Sequence, residues 1–183
     1  SLALLGLQGL CLDGDVGLRN LDITLGMTDA ALMDFSDVMA GRCDLSRAAV
    51  PHPTVSGLHL LTAPLTLPGD FPGEAGFQAL LQQARAAYDY VLIDSPAGLG
   101  PGFRLAVCGA DRAIVVAVSD PSSLRDAQRV VTQLSQLETI HLVVNRVRPR
   151  LLRRQNTTID DAMDTAGLPL LGLVPEDPKV VLA

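Results

Sequence analysis

Short runs of Leu, Ile and Val punctuate this chain. Each stops at a polar or turn-forming residue, and helical patterns fill much of the intervening sequence. The runs cover residues 10–12, 58–63, 90–93, 113–118, 140–144 and 170–174. Most are near-continuous rather than alternating, the pattern of strands buried on both faces. Between them, Phe77, Leu80, Leu81, Ala84 and Tyr88 share one helical face, and Leu124, Ala127, Val131 and Leu134 share another. Residues 28–40 predict a further amphipathic helix. "SLRD" at 123–126 and "TIDD" at 158–161 predict capping boxes, and Gly167 predicts a helix end. Strand, helix, strand in repetition gives an α/β fold: a mostly parallel sheet with helices on both faces. Residues 1–183 are expected to form one partial domain.

The chain is 48% hydrophobic and 19% charged, enough to bury a core, but only 3% aromatic. Leu, Val and Ala must therefore fill that core. A net charge of -6 without a long run of either sign argues against a wholly basic nucleic-acid-binding surface. Cys11, Cys43 and Cys108 show no metal or redox spacing and read as reduced thiols, and His52, His59 and His141 form no ligand pattern. No run is long enough to span a bilayer, and no charged, signal-like start is present. "SLALLGLQG" reads as the last turns of a helix ending at Gly6, and "VPEDPKVVLA" stops without a closing element. The expectation is a piece of a longer protein.

Ligands of parallel sheets bind beyond the carboxyl ends of the strands. Five stretches qualify: 13–22, 94–102, 119–126, 145–149 and 175–178. "YVLIDSPAGLG" is an apolar strand ending in Asp94, the form of a Walker B segment, whose acid holds magnesium. Gly98, Gly100 and Gly102 after it allow close backbone approach. The plain alternative is an acid that caps a turn. "LCLDGDVGLRNLD" places Asp13 and Asp15 at the end of another strand, with Asn20 and Asp22 close behind. Asp, Gly and Asn are also ordinary turn formers, but a turn needs neither the apolar run before it nor "GLRNLD" after it.

These two segments resemble the MinD/ParA group of P-loop ATPases, MinD members most closely. The resemblance implies ATP and Mg2+ as cofactors, with Asp15 orienting the attacking water and Asn20 acting as the switch residue near the phosphates. It places Asp94 and Asp13 at the magnesium. In "LVVNRVRP" it assigns Asn145 to the adenine edge, with Arg146 beside the base. In "GLVPEDPKV" it assigns Pro175, Glu176 and Asp177 to the loop that wraps the base. "SDPSSLRDAQR" is similar to the segment that opens a partner-facing helix, which puts Arg125 and Asp126 on a dimer or regulator surface; a plain N-capped surface helix is the alternative. The edge loops are expected to converge on one adenine nucleotide and its metal. The implied function is an ATP-dependent, membrane-associated switch for division-site placement. A MinC-like inhibitor and a MinE- or DivIVA-like regulator are the implied partners, with a homodimer in the ATP-bound state. The intact family member is cytoplasmic and peripheral to the inner membrane through a C-terminal helix that these residues lack.

The family's G-K-G-G-V-G-K-T phosphate loop is also missing: the sole lysine is Lys179. Its backbone amides and lysines would grip the phosphates. Weak ATP binding, negligible hydrolysis and open sheet edges are expected of these residues alone. The rival readings are a ParA-like or flagellar-number MinD-like partition ATPase, kept open by Arg146, Arg148, Arg150, Arg153 and Arg154, and a non-enzymatic remnant or scaffold.

Overall fold

The computed structural model describes residues 2–148 and 158–181, apart from the side chains of Pro178 and Val181. Arg150, Arg153 and Arg154 lie outside the described residues. The contacts cluster into two units, Ser1–Gly109 and Ala110–Ala183.

In the first unit, a 3-10 turn (Leu2–Leu5) ends at Gly6 and leads into β1 (Gly9–Asp13). Next come α1 (Leu21–Thr24), α2 (Phe35–Met39), α3 (Leu45–Ala48), β2 (Val50–Pro51) and β3 (Leu58–Leu61). The unit closes with α4 (Gly73–Ala87), β4 (Tyr90–Asp94) and α5 (Pro101–Val107). The sheet order is β2-β3-β1-β4, parallel except for the short β2. β1 is the central strand, and Leu10 and Leu12 are completely buried. Leu60 and Leu61 of β3 are equally buried. The predicted face of α4 supplies Phe77, Leu80, Leu81 and Ala84 to this core, and Phe77 meets Phe35 edge-on at 5.5 Å.

The second unit holds β5 (Arg112–Val118), α6 (Pro121–Gln133), β6 (Thr139–Val147), α7 (Ile159–Ala166) and β7 (Leu170–Pro175), with a parallel sheet ordered β5-β6-β7. Leu142 and Val144 of β6 are completely buried, and Leu124, Ala127, Ala162 and Ala166 of the two helices are buried with them. Among the described residues no helix is long and apolar enough to cross a membrane.

Three sequence expectations change. Residues 28–40 are helical only at Phe35–Met39, because Asp29 turns left-handed and Asp34 stays extended, bridging to Thr62 while its carboxylate caps α2. The cap of α6 is Asp120, not Ser123: its carboxylate takes the Ser122 and Ser123 amides, and the Ser123 hydroxyl turns back to the Val118 amide. The strands are not all buried on both faces. Among the described residues β4 pairs only with β1 and β5 only with β6, so Leu92, Ile114 and Val116 remain exposed, Val116 by 61%. The capping box at Thr158 and Asp161 and the left-handed Gly167 end of α7 form as the sequence predicts.

Candidate functional site

The acids gather where two parallel strands stop together. β1 and β4 run in register, so Asp13 stands opposite Asp94 at the carboxyl edge of the sheet. The Gly14 amide donates to the Asp94 carbonyl at 2.9 Å and ties the two strand ends. No side chain larger than hydrogen fits there without movement: a Cβ on Gly14 would lie 2.7 Å from that oxygen.

Asp13 is 1% exposed, and both of its carboxylate oxygens face backbone donors. Oδ1 accepts from the Asp15 amide at 2.8 Å, and Oδ2 accepts from the Leu21 amide at 3.3 Å. The acid therefore shapes the 14–20 loop, drawing its beginning and its end to one point. The loop reverses through Gly17 (φ 97°), whose amide donates to Pro64 O at 3.1 Å, and through Arg19, left-handed at φ 47°. Asn20 precedes α1 and is exposed, but its side chain makes no capping bond, so its amide is presented outward. Asp15 is half-buried, and no described group hydrogen-bonds its carboxylate.

Asp94 titrates above the ordinary aspartate range. Partial burial is the main cause, and the charges of Asp13 and Asp15 add to it. Three carboxylates thus repel one another at one strand edge. Hard oxygen donors of this kind suit a magnesium ion that keeps part of its water shell. Among the described residues no group of three His, Cys, Asp or Glu side chains is placed to hold a metal unaided. Such an ion would need further oxygens, as it does when it binds phosphates.

In the second unit, β6 breaks its pairing with β7 between Val144 and Val147, a bulge that spans Asn145 and Arg146. Arg146 is left-handed at φ 51°, and its amide is taken by Asn145 Oδ1 at 2.8 Å. The Asn145 amide nitrogen keeps its donors. Pro175 pairs with Val147, and the Glu176 amide donates to Val147 O at 3.1 Å. Arg148 grips the Glu176 carboxylate through Nε and Nη2, which holds that acid below its ordinary range. Asp177 Oδ1 accepts the Lys179 amide at 2.9 Å and starts the closing 3-10 turn. Asn145, Arg146, Pro175, Glu176 and Asp177 are therefore neighbours at one sheet edge, although the two carboxylates are already engaged.

Arg125 and Asp126 lie exposed on the first turns of α6, where Asp126 pairs with Arg129 at 3.2 Å. Sequence reasoning missed Gly14 as the close-contact residue and missed His52. The D-G-D spacing carried the signal for the first. Nothing in the sequence signalled the second.

No family model matches the chain. It is 36% identical over 186 residues to the septum site-determining protein MinD of Synechocystis sp., covering all of this chain and 70% of that protein. The chain belongs to the MinD family. The Bacillus subtilis MinD is 37% identical over 188 residues with the same coverage. Among solved structures, MinD in the MinC:MinD cell division protein complex of Aquifex aeolicus superposes with a TM-score of 0.89 at 34% identity. That match covers 98% of this chain and 73% of the other. MinD of Pyrococcus horikoshii, complexed with Mg-ADP, gives 0.81 at 26% identity, covering 99% and 74%.

Proposed function

We propose that this chain is part of a MinD-type ATPase, a nucleotide-driven switch for division-site placement. One observation carries the reading: Asp13 and Asp94 end adjacent strands in register, with Asp15 close enough to raise the titration of Asp94. Asp94 would hold a magnesium ion, with Asp13 shaping the loop beside it and helping to serve the ion. The ion, when bound, neutralises charge on the phosphate oxygens. Asp15 keeps a free carboxylate and orients the attacking water. Asn20 offers an unspent amide to the phosphates. Asn145 donates to the adenine edge, with Arg146 and the Pro175–Asp177 backbone around the base.

Arg125 and Asp126 form a surface for partners. A MinC-like inhibitor is supported by the Aquifex complex. The same reading proposes a second copy of the chain, a MinE- or DivIVA-like regulator and peripheral attachment of the intact protein to the membrane. The 183 residues hold one lysine and no G-K-G-G-V-G-K-T run, so these residues alone bind nucleotide weakly.

Titrating the isotope-labelled chain with Mg-ADP and following backbone amide shifts tests the assignment. Asp15, Leu21 and Asp94 should respond in the first unit, and Asn145 and Glu176 in the second. No response in the acid cluster refutes its phosphate and metal assignment, and none at Asn145 and Glu176 refutes the adenine assignment. Micromolar binding by calorimetry would refute the weak-grip inference.

A further inference from the structure

α1 is a single turn of four residues, too short to be stable by itself. Its N-terminal amides and C-terminal carbonyls need outside partners. The Asn20 side chain provides none at the start, where the Leu21 amide goes instead to Asp13. At the other end, the Leu25 carbonyl lies 3.0 Å from His52 Nε2.

His52 sits in the turn between β2 and β3, and its ring is oriented by that turn. The Thr54 and Val55 amides both point at Nδ1, at 3.2 and 3.1 Å. The turn is closed by the His52 amide on Leu58 O at 2.8 Å and the Leu58 amide on Val55 O at 3.2 Å. Two donors at Nδ1 require a lone pair there, so the proton of the neutral ring sits on Nε2 and is donated to Leu25 O. The tautomer is thus fixed by the backbone of its own turn.

We propose that His52 is a positioning residue: it clamps the far end of α1 and so fixes where Asn20 and the 14–20 loop stand. α1 is held between two side chains from outside it, Asp13 at one end and His52 at the other. The consequence for hydrolysis rests on the ATPase reading above; the clamp itself does not.

His52→Asn separates the two roles. Its side-chain oxygen replaces Nδ1 and keeps the Thr54 amide satisfied, but its shorter chain does not reach Leu25. His52→Gln places an amide N–H near the position of Nε2 and restores the reach. Hydrogen exchange of the full chain reads the Thr24, Leu25, Gly26 and Met27 amides, whose acceptors are Asn20, Leu21, Ile23 and Asp22. In His52→Asn these should exchange roughly fivefold faster, the factor carried by one net hydrogen bond. Amides of β1 and β3 should be unchanged, and His52→Gln should recover most of the loss. In the intact ATPase carrying the same substitution, turnover at saturating Mg-ATP should fall several-fold while nucleotide affinity holds.

Unchanged exchange in His52→Asn overturns the clamp, and so does equal acceleration across β1 and β3, which marks general destabilisation. Faster exchange with unchanged turnover overturns the positioning role. An unaltered protein without turnover counts against the ATPase reading, and exchange then decides the clamp by itself.

Discussion

The contact between Gly14 and Asp94 is the tightest link between the two acid-bearing strand ends, and replacing Gly14 with alanine probes it directly. Gly14 does not have a positive φ, so its backbone suits any residue and the effect is purely steric. The new Cβ would meet the Asp94 carbonyl oxygen at 2.7 Å, closer than real Cβ contacts come, and that oxygen is backbone rather than a flexible tip. Relief requires β1 and β4 to part by about half an ångström at their carboxyl ends. Overpacking of this kind costs about 1–3 kcal/mol. Weakening the 2.9 Å bond from the Gly14 amide adds up to about 1 kcal/mol. The sum, roughly 1–4 kcal/mol, is a large part of a typical domain stability of about 5–15 kcal/mol. For a chain of this size it lowers the thermal midpoint by roughly 2–15 °C. Gly9→Ala, at the start of β1, is the control. Nothing lies within 4 Å of its added Cβ, so it should be neutral or stabilise by about 0.4–1 kcal/mol. Denaturant unfolding measures both. Gly14→Ala within about 0.5 kcal/mol of the parent would refute the argument that this glycine sets the spacing of the acids.

Asp94→Asn should raise the thermal midpoint at neutral pH. Burial and the charges of Asp13 and Asp15 raise the folded titration of Asp94, so its favourable contribution exists at low pH and is lost as pH rises through the raised value. The gain should vanish below the unperturbed value of about 3.9, and a lowered midpoint at neutral pH would contradict the repulsion. His59 acts with the opposite sign. Burial lowers its folded titration, so stability is present above the ordinary value near 6.5 and is lost as pH falls through the lowered one. Among the described residues its Nδ1 is buried without a partner, while the ring packs edge-on to Tyr88 at 5.2 Å. His59→Phe should keep that contact and flatten the acid limb of the stability profile; an unchanged limb would place the titrating group elsewhere. Gly167→Ala puts a Cβ at φ 69° and should cost α7 about 1 kcal/mol in denaturant unfolding.

The strands were legible because apolar runs carry their own signal. β1, β4 and β6 contain the runs that mark them, differing by one to three residues at the ends. Helix ends were legible where a side chain caps locally, as at Thr158 and Gly167. They were not where the decisive contact is distant. Asp34 is held extended by its bridge to Thr62, 28 positions along the chain, and no local pattern foretells that helix formation must wait until Phe35. α5 was hidden for a related reason: Gly98, Gly100, Pro101 and Gly102 read as loop, whereas Pro101 opens the helix at a position that needs no amide. The strand-end positions of the candidate site residues were legible, but the division of labour among them was not. A D-x-D pair looks symmetrical in sequence.

Geometry breaks that symmetry. A carboxylate that accepts two backbone amides from opposite ends of a loop is committed to the shape of that loop. Converting Asp13 to alanine would leave the partly buried Asp15 and Leu21 amides without this acceptor, at about 1–3 kcal/mol for the unsatisfied donors. Converting Asp15 to alanine removes no hydrogen bond from the fold and relieves part of the repulsion on Asp94. The two acids should therefore separate cleanly in experiment. Asp13→Ala should lower stability and accelerate exchange at Leu21. Asp15→Ala should leave stability equal or higher, while the Mg-ADP response of the acid cluster changes. Equal destabilisation by both would mean that Asp15 is as structural as Asp13, and the free carboxylate assigned to orienting water would lose its physical basis.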